Sequence, residues 1–225
     1  MRRWRLRGAW LPVGTGPPGA DVRGPSDERL TAEGDAAVNF LNLPADLPVP
    51  EDDGAARHLP GTALPDVELL STAGESVRLD GLGPGRTVLY VYPLTGRPGR
   101  DLPEGWDDIP GARGCTPESC GFRDHHGELL EAGAEAVFGL SSQDSDYQRE
   151  AVERLHLPFA MLSDPDRRLA AAPLGLPTFE AGGMRLYKRL TLVIRDGAVE
   201  HAFYPVFPPD EHAAQVLAWL RDHAV

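Results

Sequence analysis

Two apolar runs, TVLYVYP at 87–93 and AVFGLSS at 136–142, constrain the fold of this chain more than any other feature. Neither alternates polar and apolar residues, so each reads as a strand buried on both faces. Such strands belong to the centre of a sheet covered above and below. Each run leads into a helical stretch. TPESCGFRDHHGELLEAGA reads as one helix, with Thr116 as cap, Pro117 in the first turn, Glu118 at the positive end of the dipole and Gly133 at the exit. DSDYQREAVERLHL reads as another, capped by Asp144 or Ser145.

The remaining signals complete an α/β pattern. DVELL and SVRLD flank STAGE as a small hairpin, and FAMLSDPD is a short strand ending in a turn. DRRLAAAPLG reads as one or two helical turns. RLTLVIRDGAVEHAFYPV is two strands joined at Asp196-Gly197. PPDEHAAQVLAWLRDHA closes the chain as an amphipathic helix, with Ala214, Val216, Leu217 and Leu220 near one side. This order predicts a mostly parallel central sheet, covered on both faces and made mixed by the added hairpin.

Composition enters where it excludes functions. A net charge of −12 argues against binding a phosphate backbone. No apolar run reaches the ~20 residues that span a bilayer. The basic start MRRWRLRGAWLPVG lacks the apolar stretch and cleavage site of a signal peptide, which points to a cytoplasmic, reducing setting. Residues 1–24 carry five arginines against one aspartate, with frequent Gly and Pro and no apolar period. We therefore expect residues 1–44 to be a disordered or poorly structured extension and 45–225 to be the folded domain.

The chemistry gathers in GARGCTPESCGFRD at 111–124, which holds both cysteines, Cys115 and Cys120. A metal site with His125 and His126 fails on direction. At ~100° per residue the four side chains point to about 0°, 140°, 280° and 20° around a helix axis, whereas a tetrahedral site needs convergence. His125 and His126 then read as solvated helix residues. A redox pair fits better. Cys115 lies at the predicted helix start, where free N–H groups and the dipole favour a thiolate. Arg113 and Arg123 are nearby candidates for further positive charge. Residues five apart in a helix have Cα atoms about 8.7 Å apart, from the rise and radius of the helix. A disulfide tolerates up to roughly 7 Å. The pair can therefore bond only when the first helical turns unwind, at modest cost because a helix's first turn is its weakest part. Inert buried thiols, a disulfide exchanger and a non-enzymatic redox sensor remain alternatives. So does a copper-handling protein using both thiols and His201.

The segments TVLYVYP, GCTPESCGFRD, LSDPD, KRLTLVI, VEHAFYPVF and VLAWL resemble, in that order, the peroxiredoxins, above all the Q-type (bacterioferritin comigratory protein) subgroup of the AhpC-TSA family. The resemblance spans about residues 60–222. It implies a thioredoxin-like fold and a thiol-dependent peroxidase that reduces hydrogen peroxide and organic hydroperoxides. Cys115 is then the peroxidatic cysteine, Cys120 the resolving cysteine and Arg189 the arginine beside the thiolate. Glu118 and Arg123 match helix positions read as structural support. No metal, flavin or haem is implied. The implied partner is thioredoxin or a similar dithiol reductant, and the implied state is a monomer or weak homodimer.

One departure stands out. The family pattern Pro-x-x-x-Thr-x-x-Cys places a threonine hydroxyl near the peroxide, but here those positions hold Asp108 and Ala112. An insertion of about fifteen residues, LTGRPGRDLPEGWDD, follows Pro93 and forms a loop over 94–110. Thr95, or the backbone of IPGARG, is a candidate replacement. The loop itself, with Trp106, is expected to border the site, where it either narrows access, docks a reductant or packs for stability.

Overall fold

A computed structural model describes residues 43–224. The expected extension lies outside the described residues except for 43 and 44.

The expected strands form a seven-stranded sheet. They are β1 (Glu68–Ser71), β2 (Ser76–Arg78), β3 (Arg86–Val91), β4 (Ala134–Ser141), β5 (Met161–Ser163), β8 (Leu190–Arg195) and β9 (Ala198–Phe203), in the order β2-β1-β5-β4-β3-β8-β9. The run at 87–93 is the central β3, buried at every position. Only the β3–β4 and β4–β5 pairings are parallel. The other pairings are antiparallel, which corrects the expectation of a mostly parallel sheet. The cause is topological: parallel neighbours need a crossover helix, and only the central strands have one. A separate hairpin, β6 (Thr178–Ala181) and β7 (Met184–Tyr187), was not anticipated. Its turn signal is Gly182-Gly183, with both glycines at positive φ.

The helices are α1 (Cys115–Asp124), α2 (His126–Glu131), α3 (Ser145–Leu155) and α4 (His212–Asp222). The stretch predicted as one helix is two, broken at His125. Asp144 caps α3 by accepting from the Tyr147 amide at 2.7 Å. The buried side of α4 is Ala213, Val216, Leu217 and Leu220, so Ala214 faces outward against expectation.

Two apolar layers enclose the sheet. Val88, Tyr90 and Tyr92 face the helices, packing with Phe122, Leu129, Leu155, Val216 and Leu220. Leu89 and Val91 face the other way, against Leu59, Leu69, Leu169 and Tyr187. That second layer is roofed by coil and a 3₁₀ turn (Arg168–Ala170) as well as by strand residues. Tyr90 stacks on Phe122 with ring centroids 4.4 Å apart, tying α1 to the central strand. Gly139 of β4 lies directly beside Tyr90 in the register, and a Cβ there would come within 2.7 Å of the Tyr90 hydroxyl.

The fold also explains how distant residues meet. β8 runs antiparallel to β3 with Leu190 opposite Val91. Arg189, one residue earlier, therefore sits at the carboxyl end of β3. The chain leaving β3 passes through the loop 94–114 and enters α1 at Cys115, at the same sheet edge. Ligand and catalytic sites in open α/β sheets gather at that edge.

Candidate active site

Cys115 is the first residue of α1 and is buried; Cys120, five residues on, is half-buried, and both are free thiols. The residue ahead of the helix is Gly114 at φ 106°, and it, rather than Thr116, occupies the N-cap. A Cβ at Gly114 would fall 2.3 Å from Pro209, so glycine is required by both conformation and space.

Arg189 lies against the sulfur. Its Nη2 donates to Cys115 Sγ at 3.2 Å, and its Nη1 pairs with the Glu118 carboxylate. Its remaining bonds go to backbone: Nε to the Gly111 carbonyl at 3.2 Å, and Nη2 to the carbonyls of Ala112 at 3.1 Å and Arg113 at 3.0 Å. The backbone of IPGARG thus presents acceptors that fix the guanidinium. Cys115, Arg189 and Glu118 are all buried. Among the described residues, Glu118 Oε1 has no hydrogen-bond partner.

The electrostatics differ from a simple helix-end thiolate. Burial pushes the Cys115 thiol up; Arg189 pulls it down, Glu118 pushes it up, and a hydrogen bond from the Leu94 amide pulls it down. The net direction is upward, because burial outweighs the positive charge that was expected to favour a thiolate at this helix start. The thiol also donates to the Ala112 carbonyl at 3.7 Å, an interaction that favours the neutral form. Burial likewise raises Glu118, to about 7, against the pull of Arg189. Burial works against the Arg189 charge, but Cys115 and Glu118 together keep it above its ordinary value. One buried cation therefore serves two acidic groups, and protonating either anion leaves more of the field to the other.

Thr95 does not return a hydroxyl to the sulfur. It is buried, and its hydroxyl and amide both donate to Gln143 Oε1 at 2.9 Å, while Gln143 Nε2 returns a bond to the Thr95 carbonyl at 3.1 Å. Beside the sulfur the loop supplies the Leu94 amide instead.

The first turn of α1 is not the loosely held end expected. Cys115, Thr116, Pro117, Glu118 and Ser119 are all buried, and the Tyr90 hydroxyl bonds Ser119 Oγ at 3.2 Å. Bringing Cys120 to Cys115 must break these contacts together with the Glu118–Arg189 pair. Cys120 sits near Arg123, Asp124 and Arg154; burial pushes its thiol up, and the two arginines pull it down.

The other candidates fall elsewhere. Arg123 donates to the Leu155 carbonyl at 2.9 Å, joining α1 to α3. Arg113 pairs with Asp107 at 3.1 Å. His125 and His126 are half-buried rather than fully solvated. His125 lies 3.1 Å from Glu128, and the His126 ring packs on Phe159 with centroids 5.7 Å apart. His201 stacks on Trp219 at 4.8 Å. Among the described residues no three His, Cys, Asp or Glu side chains form a group able to hold a metal ion. No helix among them is long and apolar enough to cross a membrane. Glu118 as a partner of the reactive pair, and the Leu94 amide, were not read from sequence as parts of the site. Glu118 falls one turn after Cys115, a spacing that would have suggested a shared environment.

Comparison with known proteins places this geometry in context. The Redoxin family model matches residues 59–217. The chain is 31% identical over 163 residues to a putative peroxiredoxin bcp of Coxiella burnetii, covering 71% of this chain and 97% of that protein. It is 30% identical over 167 residues to peroxiredoxin Bcp of Escherichia coli, covering 73% and 96%. A rice putative chloroplastic peroxiredoxin Q is 30% identical over 162 residues; the match covers 72% of this chain but 66% of that longer protein. Among solved structures, peroxidoxin BcpB of Mycobacterium tuberculosis aligns with TM-score 0.58 at 30% identity, over 73% of this chain and 97% of that one. A Xanthomonas campestris peroxiredoxin Q structure shares the fold at TM-score 0.55 and 24% identity, over 80% and 99%.

Proposed function

The chain belongs to the Q-type peroxiredoxins of the Redoxin family, and from that membership we propose that it is a thiol peroxidase acting through Cys115. Cys120 resolves the oxidised sulfur, and thioredoxin or a similar dithiol protein in a reducing cytoplasm completes the cycle. The observation that carries this reading is the Arg189 guanidinium held 3.2 Å from Cys115 Sγ by three backbone carbonyls and Glu118.

In the first step the Cys115 thiolate attacks the distal oxygen of a hydroperoxide. A sulfur–oxygen bond forms and the oxygen–oxygen bond breaks. Sulfur is oxidised by two electrons to a sulfenic acid, and the alkoxide takes the proton that the thiol released, leaving as alcohol or water. Arg189 stabilises the thiolate beforehand and the charge on the departing oxygen during the step. The Leu94 amide also pulls the thiol toward its charged form.

In the second step α1 opens at its start and the Cys120 thiol attacks the sulfenic acid. A disulfide forms and water leaves. The external dithiol then reduces that disulfide by exchange. Breaking the Glu118–Arg189 pair on opening couples resolution to the loss of the arrangement that activates Cys115, so attack and resolution are separate conformations.

The test is NADPH oxidation coupled through thioredoxin reductase and thioredoxin, with hydrogen peroxide as substrate. Turnover is expected in the parent protein and none in Cys115→Ser. Cys120→Ser is expected to consume one equivalent of peroxide and then stall. Full activity in Cys115→Ser would overturn the assignment.

A further inference from the structure

We propose that the loop 94–110 is a size-selective throat over Cys115, and that Trp106 and Leu102 are its specificity-determining residues. This restricts the reaction to hydrogen peroxide and slender primary hydroperoxides. The proposal rests on the peroxidase reading above, and its primary test does not.

Three observations carry it. First, the cavity that touches Cys115 has a volume of about 10 Å³, and its walls include Leu94, Leu102, Trp106 and Arg113. That is room for about one water-sized group. A peroxy group fits such a space, whereas a branched carbon carrying it does not. Second, Leu102, Trp106 and Arg113 also wall a wider cleft of about 330 Å³, together with Pro103, Asp107 and Asp108. The same three side chains therefore stand between the roomy outer space and the sulfur. An apolar cavity of about 270 Å³ touches Arg189 but not Cys115.

Third, the loop is built to hold this shape. Trp106 is 3% exposed and packs with Ala112, Ala181 and Leu186, its ring 6.2 Å from that of Phe179. Of these partners, Ala181, Leu186 and Phe179 come from the β6–β7 hairpin, whose turn residue Gly182 lies so close to Pro103 that a Cβ there would be 2.9 Å away. At its start the loop is tied down by the Thr95–Gln143 bonds and by Arg154, which donates to the Gly96 carbonyl at 3.0 Å. At its end Asp107 holds Arg113. A throat with packed walls discriminates by shape, and pockets of this kind separate ligands that differ by one or a few carbons by 10- to 200-fold, roughly.

The primary test reads access to the sulfur without requiring turnover. In the Cys120→Ser background, Cys115 is alkylated with iodoacetamide and with N-phenyliodoacetamide, followed by intact-protein mass spectrometry, with glutathione as the unhindered reference. The ratio of the two rates is expected to favour the smaller reagent by about tenfold more than glutathione does. Leu102→Ala, a half-buried position, and Trp106→Ala are each expected to bring the ratio back toward the glutathione value. Leu102→Ala keeps the test valid if Trp106→Ala loosens the whole loop. A parent ratio equal to that of glutathione, or a ratio that neither substitution moves, overturns the proposal. In the coupled assay the same two substitutions, made with Cys120 intact, are expected to raise kcat/KM for cumene hydroperoxide relative to hydrogen peroxide. Absence of peroxide turnover alongside size-selective alkylation would overturn the peroxidase reading and leave the throat standing.

Discussion

Replacing Glu118 by glutamine removes one of the two acidic groups that share Arg189, and the structure specifies how stability must respond to pH. Glu118 is buried, and its carboxyl is pushed up from the ordinary 4.5 to about 7. The folded protein therefore keeps a proton that the unfolded chain releases between pH 4.5 and 7. Stability from this group is fully present below 4.5 and is lost as pH rises through about 7. At about 1.4 kcal/mol per pH unit the loss comes to about 3 kcal/mol. Glu118→Gln abolishes the titration. The substituted amide also places N–H groups beside the guanidinium without partners, a cost of about 1–3 kcal/mol that does not vary with pH. Urea denaturation under reducing conditions, at pH 4.5, 5.5, 7 and 8, measures the difference between the two proteins. Subtraction cancels the titration of the groups that Glu118 does not influence. The difference is expected to move in favour of Glu118→Gln by about 3 kcal/mol from pH 4.5 to 7 and to stay level above it. Removing the Glu118 charge also removes one cause that raises Cys115, so the pH at which iodoacetamide reactivity rises should fall in the variant. A stability difference that is flat across the range, with an unchanged alkylation profile, would refute the shared-cation reasoning.

Other perturbations reach different parts of the molecule. Arg189→Lys keeps a charge but loses the fork that spans Cys115 and Glu118, and stopped-flow oxidation by hydrogen peroxide should slow by about 100-fold. His212 is buried between Thr191 and Gln215, and burial holds it down at about 4. It therefore contributes stability above pH 6.5 that is lost as pH falls toward 4, and in acid titrations followed by circular dichroism His212→Gln should flatten this part of the acid limb. Gly139→Ala drives a methyl to 2.7 Å from the Tyr90 hydroxyl, and thermal or urea unfolding should show a loss of about 1–3 kcal/mol.

Much of the scaffold was legible because its signals are local. The buried run at 87–93 announced β3, Asp196-Gly197 announced the β8–β9 turn, and Asp144 announced the cap of α3. The separate hairpin β6–β7 was missed because its strands are short and half exposed, so only Gly182-Gly183 marks it. The face of α4 was misread by one residue, since Ala213 and Ala214 are indistinguishable until the sheet chooses between them. At the site, the two cysteines could be read from their spacing, and Arg189 came only from family resemblance, because 74 residues separate it from Cys115. The upward push on Cys115 was not readable at all: it arises from burial in the helix-side core beside the inserted loop, which is a tertiary property. The same holds for the tightness of the first turn of α1, fixed by Tyr90 and Arg189.

The site of the first oxidation tests the central claim most directly. Cys120→Ser protein is mixed with one equivalent of hydrogen peroxide in the presence of dimedone, and the labelled peptide is identified by mass spectrometry. The adduct is expected on Cys115, forming far more slowly when Arg189 is also replaced by methionine. Peroxide consumed with Cys115 unlabelled, or labelling at the same rate without Arg189, would contradict a sulfur activated by the buried guanidinium.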